Sequence, residues 1–238
     1  MYISIKHKIA IVGAVALYSL GACFSLATAA NVTPDVIFGS GNANGSFTVG
    51  TANNVEIGLR AKQRFPAANI FNYNGVDTYD FSAGESSLGS GRPLWNFEFS
   101  INTDVSGISG VDLADLTYEL KLDTDPGAGT NFTSIFDPIL GLPFFDHAIG
   151  DNSTGNGNGT KATDIPSYAI LLANNNVAQN SWAFHWFAAI DPSISGLYGI
   201  MLSAFDQNGG LLSSSAINVR VSAVPLPASL PLYGAGIA

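Results

Sequence analysis

The chain has 238 residues and a formal net charge of −9, with 47 % hydrophobic residues, only 11 % charged residues and 26 glycines. This is too apolar for a disordered chain, and the length suits one domain of ordinary to large size plus targeting segments at its ends. Lys6 and Lys8 account for two of the nine basic residues, so the rest of the chain carries seven against 18 acidic ones, a net −11 that excludes the basic footprint of a nucleic-acid binder.

Lys6, His7 and Lys8 precede Ile9 to Leu20, an apolar run of the length of a signal-peptide core. Ala27, Ala29 and Ala30 supply the small residues that signal peptidase needs, with cleavage expected after Ala29 or Ala30. Residues 1–30 are therefore read as an export signal, engaged by the export machinery. Leu20-Gly21-Ala22-Cys23 also resembles a bacterial lipobox, in which Cys23 would become an acylated N-terminus. Ordinary cleavage is favoured, because Phe24-Ser25-Leu26-Ala27 carries the apolar run on to the alanines. An uncleaved anchor fits less well, since the stretch is short for a membrane span. Cys23 is the single cysteine, so the domain that follows is expected to fold with no disulfide, thiol nucleophile or thiolate metal ligand.

From Asn31 to about Ala223 the pattern is period-two alternation broken by Gly, Asn, Asp and Pro, which predicts short strands. Asn54 to Ala61 places Val55, Ile57 and Leu59 on one face. Leu94 to Asn102 sets Trp95, Phe97, Phe99 and Ile101 against Asn96, Glu98 and Ser100. Leu116 to Leu122 sets Leu116, Tyr118, Leu120 and Leu122 against Thr117, Glu119 and Lys121. Each reads as a half-buried antiparallel strand with one wet face. Asp123 to Thr130 has turn composition and Asn131 to Phe136 reads as the returning strand. Asp151 to Gly159 is a surface loop by composition.

Asp164, Pro166 and the apolar spacing of Ile165, Tyr168, Leu171 and Leu172 predict one short helix, ended by Asn174-Asn175-Asn176. Ser181 to Ala189 is apolar on both faces and predicts a central strand in which Trp182, Phe184 and Trp186 share a side. Leu197 to Asp206 and Leu211 to Ala223 flank Gln207-Asn208-Gly209-Gly210, a closing hairpin similar to those of many bacterial Ig-like surface domains. The expected fold is all-β: an antiparallel β-sandwich, Ig-like or jelly-roll, with one short helix, over residues 31–223.

No phosphate loop, dinucleotide fingerprint or zinc signature occurs. His185 reads as a packing residue, and His147 beside Asp146 as a structural hydrogen-bonding pair. Glu98 and Glu119 would form a hydrolase-like carboxylate pair only if their strands were neighbours, at about 5–9 Å. Asp123 and Asp125 begin like a calcium loop, which Asp137, Asp146, Asp151 and Asn152 would have to complete; their other reading is turn formation. Tyr73, Tyr79, Trp95 and Trp186 are the candidates for stacking on sugar rings, although most sit at core parity.

The chain closes on Val224-Pro225-Leu226-Pro227-Ala228, followed by small and apolar residues to Ala238 with no charge. This stretch resembles the C-terminal sorting signal of the PEP-CTERM family in its Val-Pro-Leu-Pro-Ala variant. The resemblance covers a small part of the chain and concerns destination. It implies a Gram-negative bacterium, an exosortase-like enzyme acting on the tail, and delivery to the cell surface or extracellular matrix with at most transient membrane anchoring. The family pattern runs on into a membrane segment of roughly 20 residues and terminal arginines, so residues 224–238 are expected to be a partial signal. The function expected from all this is a non-catalytic structural or adhesive role in the envelope or biofilm. The alternative is a carbohydrate-binding module that is calcium-dependent or not, with extracellular polysaccharide as partner. A polysaccharide hydrolase comes third.

Overall fold

The computed structural model describes residues 33–36, 45–141, 146–187 and 190–224. The leader residues Cys23, Ala27, Ala29 and Ala30 and the tail residues Pro225, Leu226, Pro227 and Ala228 lie outside them.

Among the described residues ten strands, β1 (Thr48–Ala52), β2 (Val55–Gln63), β3 (Thr78–Ser82), β4 (Trp95–Asn102), β5 (Thr117–Asp123), β6 (Phe132–Phe136), β7 (Ala148–Gly150), β8 (Val177–Trp182), β9 (Gly196–Phe205) and β10 (Leu211–Ser222), form two sheets of five. Their orders are β1-β2-β4-β8-β7 and β3-β10-β9-β5-β6. The β-sandwich expected from alternation is therefore present, antiparallel at every named pairing except β3 with β10, which run parallel.

The inward faces of β2, β4 and β5 carry the residues that alternation placed there, joined by others. Val55, Ile57, Leu59 and Ala61 of β2 and Trp95, Phe97, Phe99 and Ile101 of β4 pack against Leu120 and Leu122 of β5, Ile200 and Leu202 of β9 and Ile217, Val219 and Val221 of β10. Burying these side chains supplies the main stabilisation of a domain that has no crosslink. The closing hairpin forms as expected, with Asp206 Oδ1 accepting from the amides of Asn208 and Gly210 in its turn. The helix α1 (Ile165–Leu172) also forms, capped by Asp164, whose carboxylate accepts the Ser167 amide at 2.8 Å. It buries Tyr168 and Leu172, and the Tyr168 hydroxyl donates to the Ile139 carbonyl at 2.6 Å.

Two expectations are corrected. Alternation assigns β2 and β4 a wet outer face, yet Glu56, Arg60, Lys62, Asn96, Glu98 and Ser100 are all buried. The chain just ahead of β1 lies across them. Arg60 donates to the Gly45 carbonyl at 2.6 Å and sits 4.2 Å from the Phe47 ring centre, and Gln179 donates to the Val36 carbonyl. A polar outer face looks the same in sequence whether water or a covering segment lies above it.

The predicted strand over Ser181 to Ala189 is also displaced. The strand is β8, which starts at Val177 and stops at Trp182, and Phe184–Trp186 is a 3₁₀ turn. The turn drops Phe184 into the end of the sandwich, 5.0 Å from Trp95 and 5.7 Å from Tyr198 between ring centres. Burial of that ring outweighs continuation of the strand.

Candidate functional site

The two carboxylates considered for hydrolysis do not meet. Glu98 is on β4 of the first sheet and Glu119 on β5 of the second. Glu98 is moreover fully buried and ion-paired to both Arg60 and Lys62, while Glu119 pairs with Lys121 at 2.7 Å on the surface. Asp123 and Asp125 act in turn formation: Asp123 accepts the amides of Asp125 and Asn131 at 3.0 and 2.8 Å, and Asp125 accepts that of Gly127 at 2.9 Å. Asp137 accepts the Tyr118, Ile139 and Leu140 amides, and Asp151 serves its own loop. Among the described residues no three His, Cys, Asp or Glu side chains gather as a metal site.

His147 is fully buried, with Nε2 2.8 Å from the Pro138 carbonyl and Nδ1 2.9 Å from the Asn180 amide nitrogen. These partners fit a neutral ring that donates from Nε2 and accepts at Nδ1. Burial pushes its pKa down to about 4. On the outer face of β2, Glu56 accepts the Asp35 amide, and burial pushes its carboxyl up to about 7. The two groups act oppositely on stability. Glu56 contributes stability below its ordinary pKa of 4.5 that is lost as pH rises through 7, whereas His147 contributes stability above 6.5 that is lost as pH falls through 4. Unfolding free energy should therefore be nearly flat between these limits in the native chain. Glu56→Gln should uncover a rise with pH approaching about 1.4 kcal/mol per unit, the slope for one proton. Chemical denaturation at stepped pH reads this directly, and an unchanged profile would show that Glu56 is solvated.

An amide cluster, with Asn102 and Asn176 buried and Asn152 at its exposed rim, is invisible in the sequence and fixes the far end of the same sheet. Asn102, Asn152 and Asn176 bond to one another at 2.8–2.9 Å. Next to them Asp104 accepts from Asn54, Ser106, Ser109 and Gly110, and these donors hold its carboxyl below the usual range against the cost of burial.

The surface feature with chemical character lies at the opposite end, where β2 and β8 finish and β4 begins. There Lys62, Arg64, Arg92, Asn96, Asp146, Lys161, Asn180, Ser181 and Trp186 line an open cleft of about 250 Å³. Antiparallel pairing builds it: Lys62 stands opposite Asn96 on neighbouring strands, and Glu98 opposite Ser181. Arg64 follows β2, its amide bonded to the Leu94 carbonyl at 2.7 Å. The Arg92 guanidinium lies 4.9 Å from the Phe65 ring centre. Asp146 accepts from Asn180 at 3.0 Å, so the side chain that holds His147 also forms part of the cleft wall.

Of the four aromatic residues considered for sugar stacking, three belong to the interior. Tyr79 and Trp95 are buried, and Tyr73 stacks on Tyr79 at 4.7 Å between ring centres. Trp186 alone of the four is well exposed, at 57 %, because the 3₁₀ turn swings it out of the strand line. His185, one residue earlier, is half-buried, as its packing role requires. Sequence reasoning found Trp186 but missed its neighbours Arg64, Arg92, Asn96 and Lys161. The signal available was the clustering of basic residues at 60, 62 and 64, ahead of a single arginine at 92.

No family model matches the chain, and no curated protein is significantly similar to it. Among solved structures, the chain is similar to the PmoD soluble domain from Methylocystis sp. ATCC 49242 (Rockwell), at 9 % identity over 73 % of this chain and 97 % of that one. The TM-score is 0.27, a likeness too distant to carry over any property.

Proposed function

We propose that the protein is an exported, non-catalytic adhesive component of the cell surface or extracellular matrix, and that it holds saccharide at the cleft under Trp186. The observation that carries this reading is a single exposed indole beside convergent polar side chains. A flat aromatic face packs against the C–H face of a pyranose, while polar groups next to it fix orientation. Export rests on the leader, with Ala27, Ala29 and Ala30 as the cleavage region and the cut after Ala29 or Ala30. Sorting by an exosortase-like enzyme rests on Val224 to Ala228. A non-catalytic role is supported by the engagement of the candidate acids: Glu98 is locked in ion pairs, and Glu119, on the other sheet, is paired with Lys121.

A glycan array probed with the mature chain and with Trp186→Ala tests the reading. Saccharide binding by the former that weakens about tenfold or more in the latter is the expected result, on the scale of a lost aromatic stacking contact. Absence of any saccharide binding, or binding indifferent to Trp186, overturns it.

A further inference from the structure

We propose that the cleft selects acidic saccharide, taking the carboxylate of a uronic-acid unit against Arg64, Arg92 and Lys161 and its hydroxyls against Asn96 and Asp146; this rests on the saccharide reading above.

The first observation is how charge is distributed. The chain beyond residue 30 is strongly acidic and has only seven basic residues. Five of them, Arg60, Lys62, Arg64, Arg92 and Lys161, lie on or beside the outer face of the first sheet, and four of these line the cleft. Glu98 neutralises Arg60 and Lys62 from below. Arg64, Arg92 and Lys161 have no ion-pair partner among the described residues, and the one acid in the lining is Asp146. Concentrating unpaired cations within a net-negative molecule focuses an attractive field for an anion at one place and repels it elsewhere.

The second observation is independent of charge. Asn96 is 4 % exposed and its Oδ1 is buried with no hydrogen-bond partner, and Arg92 Nε is likewise buried and unpartnered. Both residues line the cleft. Buried polar groups are rarely left unmade, because each carries its full desolvation cost until a partner arrives. Together they ask for an acceptor, best an anionic one, at Arg92 and a donor at Asn96.

These requirements narrow the ligand. A heavily sulfated sugar has its hydroxyls esterified, so it brings acceptors almost exclusively and leaves Asn96 Oδ1 short of a donor. Neutral sugars bring hydroxyls and leave the three cations without a counter-charge. An acidic peptide brings carboxylates but no ring face for Trp186. A uronic acid carries a planar carboxylate that an arginine fork can grip, adjacent hydroxyl donors and an apolar ring face. At about 250 Å³ the open cleft suits one sugar ring with the remainder of a chain running outside it.

Calorimetric titration of the mature chain at physiological ionic strength, using oligogalacturonate, a neutral dextran, dextran sulfate and polyglutamate, tests this. Oligogalacturonate should bind, with each of the other three weaker by about tenfold or more, the scale of one missing charge-assisted hydrogen bond. The Arg64→Ala/Lys161→Ala pair, both exposed positions, should weaken oligogalacturonate by at least about tenfold without changing Tm. If dextran sulfate or polyglutamate binds as tightly as oligogalacturonate, the cleft is an ion exchanger and the inference is overturned. If dextran binds equally and depends on Trp186, selectivity for acid fails while the saccharide reading survives. If none of the sugars binds, both fail.

Discussion

Glu98→Ala is expected to cost about 3–5 kcal/mol of unfolding free energy, the scale for removing one partner from a buried ion group. Glu98 and Arg60 are fully buried and Lys62 nearly so, and one carboxylate serves both cations. Taking it away leaves two positive charges side by side under the segment that covers β2 and β4. Lys62 also lines the cleft, so its ammonium has a route to water, and the lower end of the range is the better expectation. Arg60 has no such relief. Its guanidinium lies between the rings of Phe47 and Phe71, 4.2 and 4.3 Å from their centres. Urea denaturation with unchanged m would read the loss as stability rather than as a change in compactness.

The same burial gives a sharper comparison. Glu98→Gln, the substitution by which a hydrolase would be tested, should destabilise the chain because a neutral amide cannot balance two cations. Replacing Arg60, Lys62 and Glu98 together with apolar residues of similar volume should restore most of the stability, since the desolvation cost then disappears with the charges. A loss below about 1 kcal/mol for Glu98→Ala would be the value of an exposed pair, and would show that the face is wet after all.

The second large effect is at Trp182. Trp182→Ala is expected to cost about 3–5 kcal/mol, the usual cost of deleting a large buried aromatic side chain. Its ring stands 4.8 Å from Phe187, 5.2 Å from Phe99, 5.3 Å from His147 and 6.2 Å from Phe97 between centres, joining β4, β8 and the buried histidine. Trp186→Ala, four residues on, should leave Tm within a few degrees of the native value because the indole is mostly in water. Thermal unfolding of the two variants side by side separates core from surface. Equal losses would mean that the turn at Phe184–Trp186 does not present Trp186 outward.

That pair also shows what the sequence made legible. Trp182, Phe184 and Trp186 share one side on any strand, and the apolar run gives no reason to stop the strand at Trp182. The reason is tertiary: Phe184 fills the end of the sandwich beside Trp95 of β4 and Tyr198 of β9, which belong to different sheets. The strands with clean alternation were readable because one face of each meets the core. Asp164, a cap whose partner Ser167 is local, placed the helix correctly for the same kind of reason. The outer face of β2 and β4 was not readable, since Asp35, Val36, Gly45 and Phe47 help to cover it and nothing in the pattern of β2 or β4 refers to them.

The cleft was half legible. Trp186 stood out as an aromatic residue, and the acidity of the chain could be counted. That Arg64, Arg92 and Lys161 converge, however, follows from strand order: β4 lies between β2 and β8 and brings Asn96 beside Lys62. Sequence separations of this kind carry no local signature. The acids considered for calcium binding or hydrolysis are ambiguous in sequence for the opposite reason, because turn closure and buried ion pairs draw on the same residue types as metal binding and catalysis do.

Tryptophan fluorescence tests the saccharide-binding claim most directly. The chain has three tryptophans, and Trp95 and Trp182 are each 2 % exposed while Trp186 is 57 % exposed. A soluble quencher such as acrylamide therefore reports chiefly on Trp186 in the native chain. Adding saturating oligogalacturonate should remove most of the quenchable fraction, and the Trp186→Ala chain should show little quenching with or without sugar. Quenching of the native chain that is unchanged by every sugar tested would contradict a saccharide site at this cleft.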